Sequence, residues 1–458
     1  MKKTDKIKSD EARTEVVDTI RTEMEQLASN IRDLILLQPP VELLGYLLAQ
    51  FQMSMMFNPG GSAEVPRPNK DAVNTFQFAL EYVHAIWSCY SSFEQKQSQF
   101  DENAAGELLI ALSKLQERTM MYCVTSSQTQ TEFHAKTAWV MIRGHRYQVM
   151  EEEFFKFVFE PHDDALRKAY GIGFEEIASG VQSIANAFRA GSSDAIIKLA
   201  KHMDGTYSDL EKTGGTLESA IKRRSADDSS FSSEVTDSIA DMLFGGVCNL
   251  SRKSGLPVSV LEDISYEPGQ NSDFFEEGMF SGTPMRTLPA RIKPGIKLGN
   301  DFYATDGQFV RDSAYRAIQW GLWKRLSYRD EWLTRQGKVV EQAFQEIFSN
   351  QLKGATIYES VFYRDISTNQ WVETDRLILL EDALFVVEAK AGVMPMQSPA
   401  MNFKSHERVI RELIVKAYKQ CRRFLDYLTS APEMDIYCLL YTSPSPRDQR
   451  GSRMPSSA

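Results

Sequence analysis

Two carboxylates and a lysine stand out among the apolar residues of two C-terminal segments, 372–380 and 383–391. Asp375 lies in the first segment and Glu388 and Lys390 lie in the second, and the other residues of both are typical of buried β-strands. If a tight turn at 381–382 joins the segments as an antiparallel pair, Asp375 is opposite Glu388, with Cβ atoms roughly 4.5–5.5 Å apart. Lys390 then points to the same face as Glu388, because side chains alternate along a strand.

Two carboxylates held this close repel each other unless a cation lies between them or one of them is protonated. A hard divalent cation is the natural solution, because Mg²⁺ takes one or two carboxylates and completes its shell with water and phosphate oxygens. Mn²⁺ accepts the same ligands. Asp375 and Glu388 therefore predict a site for Mg²⁺ or Mn²⁺. A charged pair that only improves solubility is the alternative, but the strands around it are apolar on both faces.

The elements that must position these residues follow from the hydrophobic periodicity of the C-terminal block. Helices and strands alternate there, which predicts an α/β sheet covered on both faces. The predicted order is a helix at 334–351, strands at 356–364, 372–380 and 383–389, a helix at 405–429, and a further strand beginning at 434–437.

Asp375 followed by Glu388-Ala389-Lys390 resembles the signature of the PD-(D/E)XK nuclease superfamily. The longer pattern resembles its nuclease-related, NERD-like branch in three stretches: residues 337–341, 373–375 and 387–392. The family has a restriction-endonuclease-like core with a mixed sheet, and its order of helix, three strands, helix and strand is the one predicted above. Thr374 stands where the family often has a proline.

The resemblance also implies roles for individual residues. It implies Asp375 and Glu388 as metal ligands, assisted by the carbonyl of Ala389. It implies Lys390 as the group that orients the attacking water and stabilises charge on the phosphate. On the flanking helices it implies two supporting residues, an acid that aids the metal site and a glutamine on the helix after the Glu-x-Lys strand: Glu341 and Gln420.

The expected function is therefore metal-dependent hydrolysis of phosphodiester bonds in nucleic acid, with DNA as the expected substrate. The alternative is a non-enzymatic helical interaction protein that carries a degenerate nuclease fold. Catalytic activity and metal binding separate the two, because only the first requires Asp375 and Lys390 to act on a substrate.

The predicted helix at 405–429 carries a row of cations on one arc, opposite an apolar arc. Such a row either follows a nucleic-acid backbone or is only a solvated helix face, which is the commoner case. The row consists of Arg408, Arg411, Lys416, Lys419, Arg422 and Arg423, of which Arg408, Lys416, Lys419 and Arg423 are the candidate nucleic-acid contacts.

The remainder of the chain predicts an α+β protein with several domains. Residues 1–250 form a mostly helical region, with a flexible linker or exposed loop at 224–233. Residues 251–330 are a Pro- and Gly-rich connector with a short hairpin turning at 299–300 and a helix from about 312. Residues 331–437 are the nuclease-like domain. The helical region carries no catalytic motif and is expected to select a substrate or a protein partner.

Composition, charge and the N-terminal sequence argue against a generally basic nucleic-acid-binding protein, a disulfide framework and a secretory signal. The chain of 458 residues has a formal net charge of −10, so any nucleic-acid contact must come from a local patch. The cysteines are scattered without a CxxC pair, which indicates a reducing compartment. No apolar segment follows the charged N-terminus, so no secretory signal is predicted and the expected location is cytoplasmic, without membrane attachment.

Residues 438–458 are interpreted as an artefactual tail. CLLYTSPSPRD corresponds to one reading frame of a transposase-type sequencing adapter, and SRMPSSA corresponds to a frame of the primer that follows it. A natural Pro/Ser-rich disordered tail is the alternative. On the first interpretation the genuine chain ends at residue 437, the fourth core strand is truncated, and stability and activity are lower than in a complete parent.

Overall fold

The computed structural model describes residues 3–56, 70–91, 99–141, 151–390 and 398–438. The chain divides into two compact units, Met1–Tyr328 and Arg329–Ala458. Both helices and small antiparallel or mixed sheets are present, so the protein is of the α+β class with a largely helical N-terminal region.

The first unit is built mainly from helices. In chain order these are α1 (Lys3–Leu36), α2 (Pro40–Met56), α3 (Lys70–Cys89), α4 (Glu102–Ser126), α5 (Gln130–Met141), α6 (Glu151–Phe159), α7 (Asp163–Tyr170), α8 (Phe174–Thr213), α9 (Leu217–Asp227), α10 (Phe231–Leu243), α11 (Leu250–Lys253), α12 (Val258–Ile264) and α13 (Gly307–Leu326).

The apolar stripe of α1 shows why these helices pack. Ile20, Met24 and Ile31 follow the helical repeat and are buried where α1 packs against α4, whereas Val16, one turn earlier, is 50% exposed. Each fully buried side chain of this size contributes roughly 1.5–3 kcal/mol. Tertiary packing of such stripes, rather than intrinsic helix propensity, therefore holds the unit together.

The prediction of a flexible linker or exposed loop at 224–233 is wrong, because helices α9 and α10 occupy most of this range. Only residues 228–230 separate the two helices. The Asp228 side chain accepts hydrogen bonds from the backbone N–H and the hydroxyl of Ser230, and buried Phe231 begins α10. A short capped turn between packed helices has the same Ser- and Asp-rich composition as a linker.

A small mixed sheet lies in the Pro- and Gly-rich part of the first unit. It consists of β1 (Ser265–Tyr266), β2 (Gly295–Leu298) and β3 (Asp301–Ala304), with β1 parallel and β3 antiparallel to β2. The predicted hairpin at 299–300 is confirmed by the Leu298–Asp301 pair. Buried His84 of α3 donates a hydrogen bond from Nε2 to the Gly295 carbonyl, so this stretch is part of the packed unit.

Among the described residues, no single helix is both long and apolar enough to cross a membrane. Residues Ala12–Leu36 and Pro40–Ser54 reach that threshold only together, and they are bent by 112° relative to each other.

The second unit contains one sheet and its flanking helices. Its elements are α14 (Arg329–Gln351), β4 (Thr356–Arg364), β5 (Trp371–Leu380), β6 (Ala383–Val387), α15 (Phe403–Ile410), a π-helical segment (Arg411–Val415), α16 (Lys416–Leu428) and β7 (Tyr437–Cys438). The predicted order of elements is therefore observed, with the helix at 405–429 formed by α15, the π-helical segment and α16.

The sheet has the order β6-β5-β4-β7, and every described pair in it is antiparallel. The prediction of a mixed sheet in this domain is wrong. After α16 the chain returns over residues 429–436 and enters β7 beside Phe362, near the end of β4, so β7 runs opposite to β4. A hydrogen bond of 2.5 Å from the Tyr427 hydroxyl to the Asp435 carbonyl holds this return segment.

The core of the second unit forms where α16 packs against the sheet. Val361, Tyr363 and Leu377 from the strands meet Phe424 and Tyr427 from α16, and all five are buried. The ring centroids of Tyr363 and Phe424 are 4.9 Å apart. This contact positions α16 over β5, which carries Asp375, and over β6, which leads to Glu388.

Candidate active site

The hairpin of β5 and β6 brings the predicted acids together. The strands pair from Leu380–Ala383 to Arg376–Val387, which confirms the predicted register along the whole ladder. Glu381, in the turn, has a φ of 54°, as two-residue hairpin turns require. Asp375 and Glu388 are the next positions in this register, but β6 ends at Val387, so Glu388 lies one residue past the ladder.

Two hydrogen bonds replace the missing strand pair. The backbone N–H of Ala389 donates to Oδ2 of Asp375 at 2.6 Å, and Nζ of Lys390 donates to Oε1 of Glu388 at 2.7 Å. The first bond attaches Asp375 to the segment that carries Glu388, and the second turns Lys390 back toward the acid two residues before it. The result is a cluster of two carboxylates and one ammonium group.

Glu388 is the most constrained member of this cluster. Its side chain is 3% exposed, and among the described residues its Oε2 atom is buried without a hydrogen-bond partner. Burial raises the pKa of Glu388, the negative charge of Asp375 raises it further, and the hydrogen bond from Lys390 opposes both. A buried carboxylate oxygen without a partner is unfavourable, so the fold leaves this atom available to a cation or a donor.

Helix α16 covers the cluster from one side. Sγ of Cys421 donates a weak hydrogen bond to the Val386 carbonyl at 3.8 Å, two residues before Glu388. Burial raises the pKa of the Cys421 thiol, and the negative charge of Glu388 adds to this effect. Gln420, its neighbour, has a buried Oε1 atom without a hydrogen-bond partner among the described residues. Helix α16, which packs on β6, therefore carries a second buried oxygen without a partner among the described residues.

The pairing of β4 with β5 is irregular at Ser360, the β4 residue in register with Asp375. Strand β4 pairs with β5 at Glu359–Arg376 and at Val361–Thr374, but the intervening Ser360–Asp375 position is skipped. The φ of Ser360 is 48°, a left-handed conformation that is uncommon for residues other than glycine. Strain of this kind often occurs at functional sites. The sequence offered no signal for either Ser360 or Cys421, since both fit an ordinary strand or helix face.

Two predicted contributions to the site stay predictions. Glu341 belongs to α14, but its side chain lies outside the described residues, as do residues 391–397 after the Glu-x-Lys segment. Ala389 contributes its N–H to Asp375, and the proposed role of its carbonyl as a metal ligand is untested.

The cationic row on α15 and α16 divides into two groups. All six side chains are exposed, and three of them form ion pairs with acids: Arg411 with Glu407, Arg422 with Asp426, and Arg423 with Asp365. The other three have no hydrogen bond or ion pair within the described part of the chain: Arg408, Lys416 and Lys419. The row is therefore less positive than its sequence suggests, and its unpaired charge lies at three positions.

The donor set fits a small hard cation with few protein ligands. Within the described ranges, no group of three or more His, Cys, Asp or Glu side chains is arranged to hold a metal ion. Two carboxylates with one unpartnered buried oxygen nevertheless suit Mg²⁺, which binds one or two carboxylates and keeps several waters. A zinc site, which needs four closely arranged ligands in its structural form, does not fit these residues.

Comparison with known proteins adds no second line of argument. The chain matches no protein-family model, no curated protein sequence and no solved structure.

Proposed function

We propose that the second unit is a metal-dependent nuclease of the PD-(D/E)XK type with a restriction-endonuclease-like core. It hydrolyses phosphodiester bonds of nucleic acid, with DNA as the preferred substrate. Asp375 and Glu388 hold Mg²⁺ or Mn²⁺, and Lys390 assists the attacking water. The observation that carries this proposal is the convergence of Asp375, Glu388 and Lys390 around a buried carboxylate oxygen that has no partner among the described residues.

The protein residues have separable tasks in this proposal. A bound Mg²⁺ would polarise a phosphate oxygen and lower the pKa of a bound water. The Ala389 N–H fixes one oxygen of Asp375, so the other oxygen remains available as a ligand. Lys390 carries three donors, of which Glu388 uses one, so the remaining N–H groups can orient water and offset charge that develops on the phosphate.

Buried Glu388 has a second task, which is to hold Lys390 in place. Its 2.7 Å contact with Nζ keeps the ammonium group beside the acids, and the low exposure of Glu388 excludes water that would weaken this interaction. The first unit, which has no catalytic motif, would select the substrate or a protein partner.

Cleavage of DNA in the presence of Mg²⁺ tests the proposal. We expect Asp375→Asn and Lys390→Met to reduce the cleavage rate at least 100-fold, because each removes a group that acts at the reacting phosphate. EDTA should abolish cleavage by the unaltered protein. Glu381→Gln is the matched control, since it neutralises an exposed carboxylate of the same hairpin, and it should cleave at the unaltered rate.

Two outcomes would contradict the proposal. If Asp375→Asn and Lys390→Met cleave as fast as the unaltered protein, any nuclease activity belongs to other residues. If the protein neither binds Mg²⁺ in calorimetric titration nor cleaves single-stranded or duplex nucleic acid, the non-enzymatic helical interaction protein is the better description.

A further inference from the structure

A groove on the second unit lies between α16 and the turn that joins β4 to β5. Its volume is about 280 Å³, and its walls include Asp365 and Ile366 on the turn and Tyr418, Lys419 and Arg423 on the helix. This volume is close to the lower end of the range for pockets that bind small organic ligands. The groove therefore has room for one flat group and its immediate substituents.

Ion pairs neutralise two of the three cations along this groove. Nε of Arg423 lies 3.7 Å from Oδ2 of Asp365 and 3.2 Å from the Tyr363 hydroxyl, and Nε of Arg422 lies 3.0 Å from Oδ1 of Asp426. Lys419 has no such partner among the described residues. The groove thus presents one uncompensated positive charge, which suits a single phosphate group.

Asp365 is a fixed part of the groove wall. The backbone N–H groups and the hydroxyls of Ser367 and Thr368 all donate to its Oδ1 atom. These bonds close the turn after β4 and keep the second carboxylate oxygen directed at Arg423. The acid therefore shapes the groove and holds Arg423, so Arg423 is not free to bind an external anion.

Two large apolar side chains in the groove face solvent. Tyr418 is 65% exposed and Ile366 is 63% exposed, and they stand on the helix wall and on the turn wall respectively. An exposed aromatic ring next to an unpaired lysine is the combination by which proteins bind single-stranded nucleic acid, since the ring stacks on a base and the cation binds the adjoining phosphate. A duplex cannot use the ring in this way, because its bases are already stacked and paired.

We propose that this groove binds a nucleotide of a single-stranded nucleic acid, with the base against Tyr418 and a phosphate at Lys419. The proposal rests on the proposed function and names the form of substrate that the second unit accepts. Strand β5 leads from the β4–β5 turn to Asp375, which is five residues beyond Gln370 and so roughly 17 Å away along the strand. One short oligonucleotide can therefore reach from the groove toward the acids.

Binding of a fluorescein-labelled oligo(dT) in EDTA, measured by fluorescence anisotropy, tests this independently of catalysis. Tyr418→Ala and Lys419→Gln should each weaken binding about tenfold. Lys419→Gln should also reduce the slope of log Kd against log salt concentration by about 0.7, as expected for the loss of one phosphate contact to a single strand. A duplex of equal length should bind more weakly than oligo(dT) and should not respond to Tyr418→Ala.

Matched controls are available in the same chain. Lys404→Gln removes another exposed cation, on α15, and Tyr207→Ala removes another exposed tyrosine, on α8, and both should change the Kd less than twofold. The proposal is overturned if Tyr418→Ala and Lys419→Gln bind oligo(dT) as the unaltered protein does, or if Tyr418→Ala weakens duplex and single strand equally. Metal-free binding that responds to these variants, without any cleavage in Mg²⁺, would support the groove and contradict the nuclease.

Discussion

Each unit contains a nearly buried carboxylate, and neighbouring cations compensate the two to different extents. Asp241 in the first unit is 11% exposed and has two cations, with Lys253 Nζ at 2.5 Å from Oδ2 and an Arg252 nitrogen at 3.4 Å from Oδ1. Glu388 in the second unit is 3% exposed and has one cation, Lys390, while its neighbour Asp375 accepts a hydrogen bond from the Ala389 N–H. Arg252 also forms an ion pair with Asp237, so the first arrangement is balanced at two acids and two cations, whereas the second has two acids and one cation.

A balanced cluster such as that of Asp241 stabilises the fold, whereas a cluster with an excess of acid, such as that of Glu388, can bind a cation. Asp241 connects α10 to α11, and two cations balance its charge, although its Oδ1 atom, like Oε2 of Glu388, is buried without a hydrogen-bond partner among the described residues. At the β5–β6 hairpin one cation does not balance two acids, and burial together with the negative charge of Asp375 raises the pKa of Glu388. A titratable group whose pKa is shifted, and whose charge is not balanced by neighbouring residues, is a candidate for a functional site.

Lowering the pH from 7 to 4.5 should destabilise the first unit but not the second. Burial lowers the pKa of His84 in the first unit to about 4 from an ordinary value of 6.5. Its neutral form contributes stability that is present above pH 6.5 and is lost as the pH falls toward 4. Glu388 has a raised pKa, so its carboxylate destabilises the second unit at neutral pH, and acid relieves that effect. From pH 7 to pH 4.5 we expect the first unit to lose about 2 kcal/mol and the second to lose nothing from this source.

Native-state hydrogen exchange, corrected for its intrinsic pH dependence, measures the two units separately. Amides of α3 report the first unit and amides of β5 report the second. In His84→Gln, which keeps a donor for the Gly295 carbonyl, the pH-dependent loss in α3 should largely disappear. If that variant keeps the full loss, another group is responsible for the acid sensitivity.

Neutralising the two contrasted acids should change stability with opposite signs. Asp241→Asn leaves partly buried Lys253 without its acid, while Arg252 keeps Asp237, and it should destabilise α10 by about 1–2 kcal/mol, a value reduced by the partial exposure of the lysine. Glu388→Gln in metal-free protein removes one of two repelling charges and should leave β5 unchanged or slightly more stable. Hydrogen exchange of α10 and β5 at pH 7 gives both values. A loss of more than 1 kcal/mol in β5 would remove the distinction between the two sites.

Ser360→Gly should produce the smallest effect and should bear on the second unit only. Glycine adopts a φ of 48° without the steric penalty of a Cβ atom, so relief of strain should stabilise the β4–β5 pair by about 0.5–1 kcal/mol. Ser360→Ala is the matched control, because it removes the hydroxyl and keeps the Cβ, and it should bring no gain. Protection of β4 amides from exchange measures the difference. Equal effects of both substitutions would show that the hydroxyl, rather than the backbone, determines this position.

The parts of the fold that could be predicted depended on local patterns. The register from Leu380–Ala383 to Arg376–Val387 followed from a two-residue turn between apolar segments, since a slip by one residue would turn every side chain to the other face. The elements of the second unit also appeared in the predicted order. The direction of β7 was predicted wrongly, because it depends on how residues 429–436 return to the sheet. No local pattern reports that path.

The residues of the candidate site fall into the same two groups: those that a local pattern predicts and those that depend on tertiary packing. Asp375, Glu388 and Lys390 could be placed together because a single hairpin carries all three. The irregular pairing at Ser360 and the proximity of Cys421 could not be foreseen, since they depend on twist within the sheet and on the helix that packs above it.

The sequence by itself determined which charges meet at the hairpin and that a row of cations follows the last long helix. Only the tertiary structure decided how strongly those charges act. Burial of the Glu388 side chain raises its pKa, and Asp365, more than fifty residues before Arg423, neutralises that cation, whereas Lys419 has no partner among the described residues. Burial and ion pairing between distant residues depend on which surfaces come together, and the strength of a charge depends on the water and the partners that remain around it.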